Sequence, residues 1–177
     1  MTRVARVFAR ALSELESEGI VRCNIGDPVE SIPGTDPFLD GSILVTAGAV
    51  PLAALTAWQA LFEVARLESG QKILIHAGAG GVGHFAVQFA LERGAHVVAT
   101  ASPANRDFLA ELGVHEVIDY HTTDVAEECY GLDVVLDLVG GEAGKRSLHT
   151  LSETGVLVTI PTVTADDIVS AAEAMGL

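Results

Sequence analysis

The sequence predicts an α/β fold: a doubly wound parallel sheet with helices on both faces. Three observations support it. From Ile73 onward, short and nearly continuous apolar segments alternate with segments whose apolar residues recur at helical spacing. Such apolar strands are typical of a parallel sheet that is buried on both faces. A cluster of glycines, residues 78–83, also separates the first strand from the first helix after it.

The first unit of the sheet is strand, glycine loop, helix and strand. Residues 72–77, KILIHA, are short, apolar and followed by glycine, which favours a buried strand. One helical face is then formed by Val82, Phe85, Ala86, Phe89 and Ala90, and Gly94 ends the helix. Residues 96–101, HVVATA, are the second strand. Together these segments predict a βαβ unit.

The remaining elements continue the alternation. Pro103 begins a helix and Gly113 ends it. Further strands are predicted at 115–120, 132–140 and 155–160, and further helices at 142–151 and 164–176. The chain stops just after that last helix.

The N-terminal part of the chain has a different pattern. Residues 1–47 predict a helix and then a Pro/Gly/Asp-rich loop of unclear role, and residues 48–177 form the predicted domain. The N-terminal helix has an apolar stripe of Val4, Val7, Phe8, Ala11, Leu12 and Leu15, which favours packing against the domain over membrane anchoring. A second helix over residues 52–70 leads into the glycine strand.

Composition excludes several classes of function. Asp and Glu number 24 against 10 Lys and Arg, a net charge of −14, so the surface repels nucleic acid and anionic membranes. No apolar stretch reaches the length of a membrane span, and no signal sequence is recognisable. Cys23 and Cys129 lie far apart and neither belongs to a Cys-x-x-Cys pair, which favours a reducing cytoplasm.

The segment GAGGVG fits G-x-G-x-x-G with Gly78, Gly80 and Gly83. The pattern alone is weak, but here it follows a strand and opens a helix, as in the Rossmann fold. Gly78 permits the tight turn, Gly80 lets a pyrophosphate approach the backbone, and Gly83 lets helix and strand pack closely. The N-terminus of the helix then faces the phosphates. The loop therefore predicts a dinucleotide site.

The end of the second strand indicates which dinucleotide. NAD-binding versions carry an Asp or Glu about 20 residues after the glycines, for the ribose 2′-hydroxyl. Here the sequence reads VATASPANR, with Ser102 and Arg106 and no carboxylate. A 2′-phosphate requires donors and no anion, so we favour NADP(H) over NAD(H). The alternative for Arg106 is an ordinary solvated charge.

Other motifs do not support a site. GGEAGKR departs from the P-loop spacing and predicts a helix start, and neither tyrosine has a lysine four residues later. The segment DYHTTD is more typical of a solvated turn than of a metal site, and His76 inside its apolar strand is more typical of a hydrogen-bonded core histidine than of a catalytic one.

With these motifs, the chain resembles the cofactor-binding domain of medium-chain dehydrogenases/reductases, and most closely the zinc-independent, quinone-oxidoreductase-like branch. The matching segments are GAVPLAALTAWQAL, ILIHAGAGGVGHFAVQFA, VVATAS, ELGVHEVIDY, DVVLDLVGG and GVLVTI. They occur in family order across residues 48 to about 162. In the family a sixth strand would begin about where the chain stops. The resemblance therefore implies that the sheet lacks a sixth strand and has an unpaired edge, with which another copy of the chain could pair.

The resemblance implies further cofactor-binding residues. It places Thr56 near the phosphates on the nicotinamide side, and Gly80, Gly81 and Val82 in the pyrophosphate loop. It implies that Ser102, Arg106 and Tyr120 surround the 2′-phosphate, and that Leu138, Val139 and Ile160 contact the adenosine and nicotinamide. Thr56 and Tyr120 could also be an ordinary helix threonine and strand-end tyrosine.

The resemblance implies hydride transfer between NADPH and a quinone, enone or carbonyl acceptor. The family's β-rich substrate domain is not recognisable in residues 1–47, no catalytic residue can be named, and the zinc ligands of the zinc-dependent branch are missing from the sequence. Two hypotheses therefore stand: an NADPH-dependent oxidoreductase, or a dinucleotide-binding module without turnover of its own.

Overall fold

The computed structural model describes residues 52–161 and 165–176. Five strands form one parallel sheet: β1 (Lys72–Ile75), β2 (His96–Ala101), β3 (Glu116–Asp119), β4 (Leu132–Asp137) and β5 (Leu151–Thr159). Their order across the sheet is β3-β2-β1-β4-β5. The predicted α/β fold class, a parallel Rossmann-type sheet with helices, is confirmed.

Helices connect the strands. Residues 52–58 are α-helical and continue as a π-helix over Gln59–Val64, and both together are α1. The others are α2 (Gly83–Glu92), α3 (Arg106–Glu111), α4 (Val125–Glu128), α5 (Gly141–Ser147) and α6 (Ala165–Met175). Short 3₁₀ turns, Pro103–Asn105 and Leu148–Thr150, precede α3 and follow α5.

The sheet separates two hydrophobic clusters because side chains alternate along each strand. Ile73 and Ile75 of β1 point into the larger cluster, which α1, α2 and α3 cover. Leu74 points to the other face, where it packs with Val125 and Cys129. All three β1 side chains are fully buried. This burial on both faces explains why the strand reads as an uninterrupted apolar run.

The helix α1 ends earlier than its sequence pattern predicts. The prediction ran to residue 70, whereas the helix ends at Val64. Arg66 has φ +54°, a left-handed conformation that terminates helices, and the N–H of Leu67 reaches back to the carbonyl of Leu61 at 2.8 Å. Apolar periodicity does not report such a turn, because Leu67 remains buried beyond it.

An aromatic cluster joins α1 to α2. The ring of Trp58 lies edge-on to Phe62, with centroids 4.5 Å apart, and to Phe89 of α2 at 5.7 Å. The guanidinium of Arg93 lies 4.3 Å from the centroid of the Phe62 ring. Such edge-on pairs contribute about 0.5–1.5 kcal/mol each beyond burial of area. This cluster therefore fixes α1 against the helix that follows the glycine loop.

The strand β5 also differs from its prediction, since it begins at Leu151 and not at Gly155. Its pairing with β4 is irregular: Leu132 pairs with Leu151, and Val134 then pairs with Val156. A Cβ on Gly155 would lie 2.6 Å from the carbonyl oxygen of Leu132, so a glycine is needed where the two backbones approach. The irregular stretch lacks the alternation by which strands are recognised.

The sequence prediction also misplaced smaller elements. The predicted helix over residues 142–151 ends at Ser147 and continues as a 3₁₀ turn. The four-residue helix α4 was not predicted; the side chain of Asp124 caps it by accepting the N–H of Ala126 at 3.0 Å. One turn is too short for helical periodicity to show.

The predictions for the N-terminal helix, the loop after it and the boundary at residue 47 lie outside the described residues. Residues 162–164 and 177 are also outside them. None of the helices in the described ranges is both long and apolar enough to cross a membrane.

Candidate functional site

The order of the strands places a crevice beside β1. The chain proceeds outward from β1 through β2 to β3, then crosses back to β4 and β5 on the other side. At such a reversal the loops after the two central strands leave toward opposite faces, and ligands bind in the crevice between them. The loop after β1, which holds the glycine cluster, therefore lies where a doubly wound sheet binds its ligand.

The glycine loop begins with a strained corner at Ala77. This residue has φ +49°, which costs a non-glycine residue about 1–2 kcal/mol. Its N–H donates to Oγ1 of Thr100 at 3.0 Å, and its carbonyl accepts the N–H of Gly80 at 2.8 Å. The N–H of Gly78 donates to the carbonyl of Thr100 at 2.9 Å. The end of β2 thus supports the turn.

Two glycines of the loop have no room for a side chain, and a third has little. A Cβ on Gly83 would lie 2.1 Å from the Ala77 carbonyl oxygen, and one on Gly78 would lie 2.8 Å from the Ala99 Cβ. A Cβ on Gly80 would lie 3.1 Å from that same Ala77 oxygen. Gly81, in contrast, is exposed, and a Cβ built on it would have no other atom within 4 Å. The backbone at Gly81 is therefore open to a ligand.

The helix α2 begins at Gly83, directly after Val82. The first N–H groups of a helix have no carbonyl partner within it, and the helix dipole adds positive potential at the same end. His84 holds the loop from inside the helix: its backbone N–H and its Nδ1 both donate to the Gly80 carbonyl, at 3.0 and 2.8 Å. The arrangement is suited to binding a phosphate group.

A pocket of about 510 Å³ opens at the carboxyl ends of the strands. Its lining combines a few apolar side chains with several polar and charged ones: His76, Ala77, Thr100, Tyr120, Thr123, Asp124, Val125, Val139, Glu142, Ala143 and Arg146. Asp124 and Arg146 form an ion pair across it, with Nη1 and Oδ2 2.5 Å apart. Of the predicted site residues, Tyr120 and Val139 line this pocket.

The predicted 2′-phosphate residues lie at the end of β2. Ser102 follows the strand directly, and Arg106 is exposed at the start of α3. Asn105, which the sequence analysis did not single out, donates from Nδ2 to the Ser102 Oγ at 3.2 Å. That contact leaves the Ser102 hydroxyl hydrogen free to donate to a ligand. The structure therefore offers a hydroxyl and a guanidinium on one turn.

The remaining predicted residues are more buried in the fold. The hydroxyl of Thr56 donates to the Leu52 carbonyl at 2.7 Å within α1. Leu138 and Ile160 pack against the larger hydrophobic cluster, and the N–H of Ile160 donates to the Asp137 carbonyl at 3.0 Å. None of these three lines the pocket. Their cofactor-binding role stays a prediction, as it does for the other site residues.

Asp137, which was not predicted as a site residue, organises the loop after β4. It is fully buried, and its Oδ1 accepts the N–H groups of Val139 and Gly140 at 3.0 and 2.8 Å. Its Oδ2 accepts the hydroxyl of Thr159 at 2.9 Å. This carboxylate therefore joins the end of β4, the start of α5 and the end of β5. The sequence signal that could have identified it is a single Asp at the end of an apolar strand.

His76 is buried, as predicted for a core histidine, but it also lines the pocket. Its Nε2 lies 2.7 Å from the Ser147 Oγ, and its Nδ1 lies 3.3 Å from the Thr100 Oγ1. Burial lowers the pKa of the imidazole, and the nearby Asp137 carboxylate partly opposes this. His76 is therefore neutral at pH 7.

These features define a Rossmann-type dinucleotide-binding fold: a parallel 3-2-1-4-5 sheet, a glycine turn in which Gly78 and Gly83 have no room for a side chain, and a pocket at the reversal of strand order. The family model for zinc-binding dehydrogenases matches residues 81–176. The chain belongs to this family, as the cofactor-binding domain of the medium-chain dehydrogenase/reductase superfamily.

Relatives and solved structures agree with this assignment. The chain is 47% identical over 114 residues to the polyketide synthase GfsB of Streptomyces halstedii. It resembles the quinone oxidoreductase from Coxiella burnetii, with a TM-score of 0.71 and 40% identity over 83% of this chain. It also resembles the nucleotide-binding subdomain of the enoylreductase domain of PpsC from Mycobacterium tuberculosis, with a TM-score of 0.59 and 38% identity over 68% of this chain.

The chain covers very different shares of these proteins. It spans 2% of the polyketide synthase, 44% of the quinone oxidoreductase and 75% of the nucleotide-binding subdomain. The chain therefore corresponds to one part of these larger proteins.

Although the family is described as zinc-binding, the ranges 52–161 and 165–176 contain no group of three or more His, Cys, Asp or Glu side chains that could hold a metal ion. Independence from zinc remains a prediction from the sequence.

Proposed function

We propose that this chain binds NADP(H) and forms the cofactor-binding part of an NADPH-dependent oxidoreductase. The observation that carries the proposal is the turn from β1 to α2. There the Ala77 carbonyl oxygen lies only 2.1 Å from where a Cβ of Gly83 would be, and Gly81 is exposed. This combination leaves room for a pyrophosphate against the backbone at the N-terminus of α2. Enzymes of the same superfamily support this reading.

The pocket is suited to the adenosine half of the cofactor. Val139 and Tyr120, both exposed, provide apolar surface on two of its sides. From there the ribose 2′ position would face the end of β2, where Ser102 and Arg106 lie. Among the described residues Arg106 has no carboxylate partner, so its charge is available to a 2′-phosphate. This supports NADP(H) over NAD(H).

A bound, reduced nicotinamide supplies the hydride, and the protein binds and orients it. For the acceptor we propose an activated double bond or carbonyl in a quinone or enone. Structures named as a quinone oxidoreductase and as an enoylreductase subdomain support this class. The second candidate is a binding module without turnover of its own. It is favoured by coverage, since the chain spans 75% of the nucleotide-binding subdomain but only 44% of the quinone oxidoreductase.

Titration with NADPH and NADH tests the cofactor assignment. Arg106→Ala should weaken NADPH binding by about 1.5–3 kcal/mol, the value of a charge-assisted hydrogen bond, and leave NADH nearly unchanged. The matched control is Arg66→Asn, which removes the same charge from an exposed position away from the site. Asn tolerates the positive φ there. Equal losses for both dinucleotides in Arg106→Ala would contradict the assignment.

Turnover distinguishes the two candidate functions. The absorbance of NADPH measures its oxidation in separate assays with a quinone, an enone and an enoyl thioester as acceptors. Turnover with any of them supports an enzyme, whereas tight binding without turnover makes the chain a binding module. Self-association through an unpaired sheet edge remains a prediction, which sedimentation can check. A cytoplasmic location also remains a prediction.

A further inference from the structure

A directed chain of hydrogen bonds runs from α5 to the glycine loop. It passes through Ser147, His76, Thr100 and Ala77, all of which lie in or beside the pocket. The side chains of Ser147, His76 and Thr100 are buried, with 1%, 4% and 2% of their residues' surface exposed. Water does not compete for these groups, so the direction of each hydrogen bond follows from the chemistry of the partners.

The direction is fixed at the α5 end. A carbonyl oxygen can only accept, and the Ser147 Oγ lies 2.8 Å from the carbonyl of Ala143. The single hydroxyl hydrogen of Ser147 therefore points to Ala143. The Ser147 oxygen must then accept from the Nε2 of His76 at 2.7 Å, so Nε2 carries a proton. In a neutral imidazole this leaves Nδ1 as an acceptor.

The loop end of the chain is compatible with this direction. The backbone N–H of Ala77 can only donate, and it donates to the Thr100 Oγ1 at 3.0 Å. The Thr100 hydroxyl hydrogen is then available for the Nδ1 of His76, 3.3 Å away. The tautomer of His76 is therefore set at the α5 end, and the Thr100 hydroxyl fits it by donating to the unprotonated Nδ1 while its oxygen accepts the Ala77 N–H.

We propose that His76, as the neutral Nε2–H tautomer, is a positioning residue for dinucleotide binding: through the Thr100 hydroxyl it holds Ala77 in the left-handed corner that shapes the glycine loop. The inference rests on the proposed function, since it assigns a role in the same site. It also explains a buried polar network around a strained alanine. The Ala77 carbonyl, whose direction that corner sets, is the atom nearest to Gly83 and the acceptor for Gly80.

The test compares two Thr→Val substitutions at buried threonines. Thr100→Val removes the hydroxyl that links His76 to Ala77. Thr150→Val is the matched control: Thr150 is equally buried, but its hydroxyl donates to the Ser147 carbonyl and not toward the loop. Loss of one hydrogen bond corresponds to about a tenfold change in affinity. We expect NADPH binding to weaken roughly tenfold in Thr100→Val, to recover in Thr100→Ser, and to be unchanged in Thr150→Val.

The tautomer is measured separately, on the unmodified chain without ligand. Nitrogen NMR of the histidine rings should show His76 neutral with its proton on Nε2 at pH 7, and the Ala77 amide should be protected from hydrogen exchange. An Nδ1–H or doubly protonated ring would overturn the inference, as would equal affinities in Thr100→Val and Thr150→Val. If the unmodified chain binds neither NADPH nor NADH, the proposed function fails. The inferred link to the loop is then tested by hydrogen exchange alone. Faster exchange of the Ala77 amide in Thr100→Val but not in Thr150→Val supports the link, and equal exchange in both variants overturns it.

Discussion

Replacing Gly83 with alanine tests the packing on which the glycine loop depends. The new Cβ would lie 2.1 Å from the Ala77 carbonyl oxygen, 2.9 Å from the Gly78 Cα and 3.0 Å from the Ala77 carbonyl carbon. Favourable contacts between such atoms lie near 3.5 Å, so about 1.4 Å of separation must be regained. The atoms in the way belong to the backbone, and no side-chain rotation can relieve the overlap.

The cost should fall at the upper end of the range for overpacking. Such insertions typically destabilise by 1–3 kcal/mol, and here the Ala77 carbonyl also holds the Gly80 N–H at 2.8 Å. We therefore expect Gly83→Ala to lower the free energy of unfolding by about 3 kcal/mol. For a chain of this size, that corresponds to a decrease in Tm of roughly 6–12 °C.

Thermal unfolding of Gly83→Ala and Gly81→Ala, without ligand, makes the comparison. Gly81 has no atom within 4 Å of a built Cβ and no positive φ, so alanine there should change stability by less than about 0.5 kcal/mol. Gly81→Ala should nevertheless weaken NADPH binding, because its Cβ would project where the phosphates approach. Equal Tm values for the two variants would refute the close packing of α2 on β1.

Other features give further predictions. Asp137→Ala removes a fully buried acceptor of three hydrogen bonds, and urea titration should show a loss of about 3–5 kcal/mol in the free energy of unfolding; a loss below 1 kcal/mol would contradict the bridging role. Burial lowers the pKa of His76 in the folded chain, so the unfolded chain binds the proton at a higher pH than the folded chain does. The contribution of His76 to the free energy of unfolding should therefore be fully present above pH 6.5 and be lost as the pH falls through the folded-state pKa. Asp124, Glu142 and Arg146 line the same pocket, and the Asp137 carboxylate acts on His76. This slope should therefore be compared with that of His76→Gln, and equal slopes would refute the assignment to His76. Burial raises the pKa of the Cys129 thiol, so in a Cys23→Ser background a thiol reagent should react only on unfolding, and rapid reaction of the folded chain would contradict its burial.

The fold class was predictable from the sequence because the strands are buried on both faces. The β1 residues Ile73, Leu74 and Ile75 serve two different hydrophobic clusters, so the strand is apolar at every position. The glycine loop could be predicted equally well, since a Cβ at Gly83 would overlap the Ala77 carbonyl oxygen. Both features depend on residue type at a fixed position, and a single sequence records that.

The predictions were wrong where structure depends on backbone turns or on distant partners. The end of α1 at Val64 depends on the left-handed Arg66, and nothing in an arginine indicates a positive φ. The buried hydrogen-bond network of His76 was not predicted for another reason. His76 and Ser147 are 71 residues apart in the sequence, and their hydrogen bond appears only when β1 and α5 meet. A spacing of that length carries no recognisable periodicity.

The aromatic contact between α1 and α2 gives the protein an intrinsic optical probe. Trp58 is the single tryptophan of the sequence, and its indole lies against Phe89, in the helix that starts at the glycine loop. Because 41% of its surface is exposed, its emission will respond both to solvent and to the seating of α1 on α2. Reduced nicotinamides absorb near the wavelengths at which tryptophan emits. Quenching of this one indole can therefore report occupancy of the site without any introduced label.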